Sequence, residues 1–256
     1  MSKKEPVLYR KEGHVGYITL NRPEDENRLD LAMSQELAEI CSRINADGEI
    51  YLAVLIGSGE IFCSGGNWQE NSLNDSAERY PQCSPAEAVA GINCPTLAVI
   101  NGDAIGEGLE LAMACDIRIS SEKAHLGLPQ ILQGRIPMDG GTQRLSRLVG
   151  KGKALELVLI GETIDAVTAC EIGLVNKVVS PGNLASEVEA LVKSISGEAP
   201  LALLYAKEAV NKGLDLTLEQ GLRLEADLYF LLHTTADRTE GIQSFLAKRP
   251  PQYQGK

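Results

Sequence analysis

Apolar residues in the first half of the chain gather in short runs, whereas those in the second half recur mostly at helical spacing. Val15-Gly-Tyr-Ile-Thr-Leu20 has the composition of a strand and stops at Asn21-Arg22-Pro23, a turn signal. Beyond Asp30, residues Met33, Leu37, Ile40, Cys41 and Ile44 share one face of a helix that Asp30 is placed to cap. Asp47-Gly48 closes that helix, and residues 52–56 read as a buried strand ending at Gly57-Ser58-Gly59. Residues 67–84 are polar and without period, which predicts a mobile loop of the kind that covers a site.

The pattern then repeats. Thr96 to Ile100 predicts a second buried strand, Asn101-Gly102 a turn, residues 108–114 the start of a helix, and residues 116–120 an alternating strand. After the Gly/Pro-rich passage 127–141 the period becomes helical over 142–148, 153–160, 166–172, 184–195, 201–212, 218–233 and 239–248. One strand, at 175–179, interrupts this series. Strands with crossover helices followed by an all-helical tail from about Pro200 predict an α/β body with a helical extension.

Composition narrows the function classes. A chain of 256 residues can bury a full core, and 44% hydrophobic with 23% charged residues is ordinary for a globular protein. A formal net charge of -11 argues against a nucleic-acid partner. It leaves room for an anionic ligand held by local Arg, Lys or a helix N-terminus. Lys3-Lys4 is followed by no apolar segment, and no uncharged stretch is long enough to cross a bilayer, so neither a secretory signal nor a membrane partner is expected. The six cysteines are scattered, mostly in apolar runs, and read as buried reduced thiols of a cytoplasmic protein. His14, His125 and His233 lack metal-ligand spacing, so no metal site is expected.

Two glycine-rich turns follow buried strands: Phe62-Cys-Ser-Gly-Gly66 and Gly102 to Glu110. Glycine there lets backbone approach a ligand, and free N–H groups at a turn or helix start can hold an oxyanion. Equally, such turns serve strand geometry alone. Glu110 is a carboxylate within Leu109, Leu111, Ala112 and Met113, so it lies on a polar face or is held for a purpose. Asp139, ahead of Gly140-Gly141, is a candidate acid or simply the cap of the helix near Thr142. Neither glycine turn is a dinucleotide fingerprint or a P-loop, and no Ser stands in a G-x-S-x-G elbow, which removes dehydrogenase and triad-hydrolase readings.

Taken in order, these motifs resemble the crotonase (enoyl-CoA hydratase/isomerase) superfamily over nearly the whole chain. They run Asn21-Arg22-Pro23, Phe62 to Gly66, Asn101-Gly102 to Ala114-Cys115-Asp116, Leu126-Gly127 to Ile136-Pro137, and Gly140-Gly-Thr-Gln-Arg-Leu145. Gly173-Leu-Val-Asn176 and Glu240-Gly241 to Lys248-Arg249-Pro250 complete the set. The resemblance implies a spiral of ββα units over residues 1–199 carrying the acyl-CoA site, and a C-terminal helical region, 200–256, that builds a homotrimer or a hexamer of two trimers. It implies an acyl-CoA substrate and no permanently bound cofactor, coenzyme A being part of the substrate.

The same resemblance assigns residues. The backbone N–H groups of Gly66 and Glu107 would hold the thioester oxygen as an enolate forms. Arg28, Ser64 and, from a neighbouring subunit, Lys248 would contact CoA. Glu107 stands where the family commonly has glycine, so its carboxylate is expected to point away from the oxyanion. Glu110 matches the first glutamate of the hydratases, but Gln130 occupies the position of the second, and an amide cannot exchange a proton at ordinary pH. Asp139 stands where isomerase-like branches keep a proton shuttle. Two reactions therefore stay open, with the first preferred: addition of water to an enoyl- or dienoyl-CoA through Glu110, with Asp139 or a relayed water as the acid and Gln130 as positioner, or allylic isomerisation with Asp139 as base. A third reading is a non-catalytic CoA-thioester binder.

Overall fold

The computed structural model describes residues 5–66 and 84–256, and the expected loop 67–84 lies outside them except for Ser84. The main sheet has six strands in the order β1 (Val7–Glu12), β2 (Val15–Leu20), β3 (Leu52–Gly57), β4 (Thr96–Ile100), β6 (Ile117–Ser121) and β9 (Lys177–Val179). The β1–β2 pair is an antiparallel hairpin and every later pairing is parallel, with Ile18 opposite Leu55, Leu55 opposite Ala98 and Val99 opposite Ile119. A second sheet joins β5 (Ala104–Ile105), β7 (His125–Gly127) and β8 (Thr163–Asp165).

Strand alternation divides the core into two layers. Ile18, Leu20, Ala53, Leu55, Ala98 and Ile100 belong to the larger cluster, which includes the apolar face of α1 (Leu31–Ala46) and Leu109, Leu111 and Ala112 of α3 (Glu107–Ala114). Leu52, Val54, Leu97, Val99 and Ile119 face the other way, in the cluster that holds Leu184 and Val192 of α7 (Leu184–Ser196). The five apolar residues read as the α1 face are all buried, and Asp30 accepts from Met33 N–H at 2.8 Å, as its capping role requires.

The remaining helices are α2 (Pro85–Ala90), α4 (Gly141–Val149), α5 (Lys151–Ile160), α6 (Ala166–Glu171), α8 (Pro200–Gly213), α9 (Leu218–Leu232) and α10 (Ala236–Leu246). The last begins three residues earlier than its apolar period suggests, because the Thr235 hydroxyl accepts from Arg238 N–H and starts the helix there. Within the helical tail, Lys207 of α8 donates to the Ile92 and Cys94 carbonyls and pairs with Asp116 at 2.8 Å. None of the helices among the described residues is long and apolar enough to cross a membrane.

Candidate active site

The two glycine-rich turns lie side by side. Cys63 N–H donates to the Asp103 carbonyl at 3.1 Å, and Ile105 N–H donates to the Cys63 carbonyl at 3.0 Å. This puts the first turn of α3 against residues 63–66. Gly108 is required by that approach, since a Cβ there would lie 2.2 Å from the Cys63 carbonyl oxygen. From the other side, buried Asn27 donates to the Ser58 and Ile61 carbonyls, and Leu29 N–H donates to the Gly65 carbonyl at 2.9 Å. The same segment brings Arg28 Nε within 3.2 Å of Ser64 Oγ, joining two of the expected CoA contacts. Lys248, the third, stands exposed just past α10, on a different element from that pair.

Glu110 is fully buried in the first turn of α3. Its Oε1 accepts from the N–H groups of Asp139 and Gly141, each at 2.7 Å, and Gln130 Nε2 lies 3.3 Å from its Oε2. Glycine at 141 is what admits the carboxylate, because a Cβ would lie 2.9 Å from Glu110 Oε1 and 2.6 Å from Pro137 Cβ. Loss of hydration on burial pushes the Glu110 acid up to about 7; the two backbone donors oppose this rise, and the Glu107 and Asp139 charges add to it. A carboxyl poised there exchanges a proton near neutral pH.

Gln130 lies in a short 3-10 turn, Pro129–Gln133, and is buried. Its Nε2 is engaged by Glu110, whereas its Oε1 is buried with no hydrogen-bond partner among the described residues. A buried amide oxygen left in this way carries a desolvation cost, which a donor from a ligand or water would remove.

Asp139 is buried too, but both of its side-chain oxygens are engaged. Oδ1 accepts from the Ser84 hydroxyl, and Oδ2 accepts from Ala86 N–H at 2.9 Å. The capping role considered for Asp139 is therefore corrected: α4 starts at Gly141 behind Gly140, with no side-chain cap, and Asp139 holds the start of α2 instead. Ser84 and Ala86 were not singled out as partners. The signal available was Ser84-Pro85-Ala86-Glu87, a helix-start pattern in which Ser84 also accepts from Glu87 N–H.

Glu107 departs from expectation in direction. Its carboxylate turns toward the first glycine turn, where Oε2 accepts from Gly66 N–H at 3.0 Å, and the side chain is buried. Glu107 N–H opens α3 and so has no partner within that helix. A Cβ at Gly65 would lie 3.1 Å from Glu107 Oε2 and 3.9 Å from Glu107 N, so both atoms face the Gly65–Gly66 backbone.

Known proteins resemble this chain over nearly its whole length. The family model for enoyl-CoA hydratase/isomerase matches residues 10–256. A relative from Rhizobium meliloti (strain 1021), named "Probable enoyl-CoA hydratase", is 41% identical over 251 residues, covering 97% of this chain and 98% of its own. The 2,3-dehydroadipyl-CoA hydratase of Escherichia coli (strain K12) is 37% identical over 253 residues, covering 98% and 99%. The crystal structure of an enoyl-CoA hydratase from Bacillus anthracis superposes with a TM-score of 0.95 at 37% identity, covering 98% of this chain and 100% of that one.

Proposed function

Because the chain belongs to the enoyl-CoA hydratase/isomerase family and has its α/β crotonase fold, we propose that within this enzyme class it adds water to the double bond of an enoyl-CoA. The observation that carries this choice is the contrast between its buried carboxyls. Glu110 is poised at about 7 beside an amide whose oxygen has no partner among the described residues, whereas Asp139 has both oxygens engaged at the start of α2.

In this mechanism the N–H groups of Gly66 and Glu107 hold the thioester oxygen, and their hold strengthens as negative charge moves onto it. Gln130 Oε1 accepts one hydrogen of the attacking water and orients it. Ionised Glu110 takes the other hydrogen through Oε2 as the water oxygen bonds to C3 and the C2–C3 π pair moves toward the thioester. Glu110, now protonated, returns that proton to C2 as the enolate collapses. One water is consumed, and the carboxylate is restored. A single carboxyl does both proton transfers, which suits a site whose second glutamate position holds Gln130.

Arg28 and Ser64 contact the CoA portion in this reading, supported by their mutual approach. The exposed apolar side chains of Leu214, Leu218, Phe230 and Phe245 in the helical tail support a homotrimer, or two trimers stacked as a hexamer, with Lys248 turned toward a neighbour's CoA. The buried thiols of Cys41, Cys63, Cys94 and Cys115 fit a cytoplasmic setting. Coenzyme A enters as part of the substrate, and the residues described require no further cofactor for this chemistry.

The test is turnover of but-2-enoyl-CoA by the purified protein, followed as loss of the conjugated thioester absorbance. Hydration by the wild type and its loss in Glu110→Gln are expected. Hydration surviving intact in Glu110→Gln would contradict the assignment, and binding of the thioester with no reaction at all would favour a non-catalytic role.

A further inference from the structure

The N–H of Gly66 is assigned above to the thioester oxygen, yet in the free protein it already has a partner. Glu107 Oε2 accepts from it at 3.0 Å, and the side chain that supplies this oxygen is buried. The arrangement is favoured locally, since a carboxylate in the first turn of a helix sits in the positive field of the exposed N–H groups. A carboxylate oxygen cannot share one backbone N–H with an oxygen that is itself becoming an enolate, because the two negative charges repel.

We propose that the Glu107 side chain is an internal competitor for the oxyanion-binding donor: it occupies the Gly66 N–H in the free enzyme, and an acyl-CoA binds only by displacing it. This rests on the oxyanion role given to Gly66 under the hydratase reading. Its consequence is a specific one for affinity. The hold that Glu107 has on Gly66 must be broken before any thioester oxygen enters, so the affinity for acyl-CoA is lowered by the strength of that contact. Free CoA has no thioester carbonyl to place there and leaves Glu107 where it is. Glu107 thereby weakens acyl-CoA relative to free CoA, which favours release of acyl product from the site. The backbone N–H of the same residue remains available as the second donor, so one residue supplies both a donor and the occupant that guards its neighbour.

Isothermal titration of the full-length wild type, Glu107→Gln and Glu107→Ala with butanoyl-CoA, which has no double bond to hydrate, and with free CoA tests this. Removing the carboxylate is expected to tighten butanoyl-CoA by about 10-fold in Glu107→Ala, equivalent to about 1.4 kcal/mol, with Glu107→Gln falling between it and the wild type. Free CoA is expected to bind all three alike. Equal or weaker butanoyl-CoA binding by both variants would overturn the inference while leaving the hydratase reading in place. Should no protein bind butanoyl-CoA more than free CoA, the acyl-CoA reading of the site fails, and the inference fails with it.

Discussion

Glu110 and Asp139 sit back to back, and the two sides of that contact teach different things. Asp139 N–H holds Glu110 Oε1, while the Asp139 side chain turns to the start of α2 and takes the Ser84 hydroxyl and the Ala86 N–H. Both carboxyls are buried, so burial alone does not tell them apart. What separates them is where their oxygens are engaged. Asp139 has donors on both, which fixes the wall formed by α2. Glu110 has strong backbone donors on one oxygen only, and its other faces Gln130. The first arrangement builds structure, and the second leaves one carboxylate oxygen held only by a side-chain amide.

The comparison can be broken most sharply at Glu110. Glu110→Gln keeps the acceptor for Asp139 and Gly141 but loses proton exchange, and kcat should fall by about 10²–10⁴-fold with circular dichroism unchanged. Next comes Gly141→Ala. Its Cβ would press on Pro137 and Glu110, so stability should drop by about 1–3 kcal/mol in thermal melts and activity should fall with it.

The pH dependence sharpens the same contrast. In the proposed role of activating water, Glu110 must be ionised, so kcat/KM should rise through about 7 and fall on the acid side. Stability runs the other way. A carboxyl whose folded value lies above its unfolded one binds more protons when folded, so its contribution is fullest below about 4.5 and declines as pH rises to about 7. Denaturant melts from pH 4 to 8 should show Glu110→Gln lacking that decline.

Smaller effects are expected at the wall and at the rim. Asp139→Asn should lower stability by about 1–3 kcal/mol through the contacts to α2, yet cut kcat by less than Glu110→Gln does. The opposite ranking of the two variants would reinstate Asp139 as a proton shuttle. Arg28→Ala should weaken CoA binding by only a few-fold, since the side chain is half exposed and its charge is screened.

The parts of the fold that carry long periods were legible without coordinates. The α1 stripe and its Asp30 cap, the parallel strands at 52–57 and 96–100, and the helical tail all follow from spacing and local capping. The strands that escaped are ones whose signal is weak for a physical reason. β1 is an edge strand with Arg10, Lys11 and Glu12 facing solvent, so apolar alternation is lost there. β5, β7 and β8 are two or three residues long and take their shape from the partners they pair with.

At the site, residue types point to Glu110 and Asp139, the family resemblance adds Gln130, and the structure gathers all three. The partners of Asp139 were not legible, because Ser84 lies 55 residues away and closes on it only through the packing of α2. Nor was the turn of Glu107 toward Gly66, which depends on how the two glycine turns lie together rather than on either motif.

The most direct measurement of the central claim is mass spectrometry of products formed from 2-enoyl-CoA and 3-enoyl-CoA in ¹⁸O-labelled water. Hydration through Glu110 predicts one labelled oxygen in the product of the 2-enoyl thioester. A double bond moved between positions 2 and 3 with no label incorporated would contradict it and transfer the chemistry to Asp139.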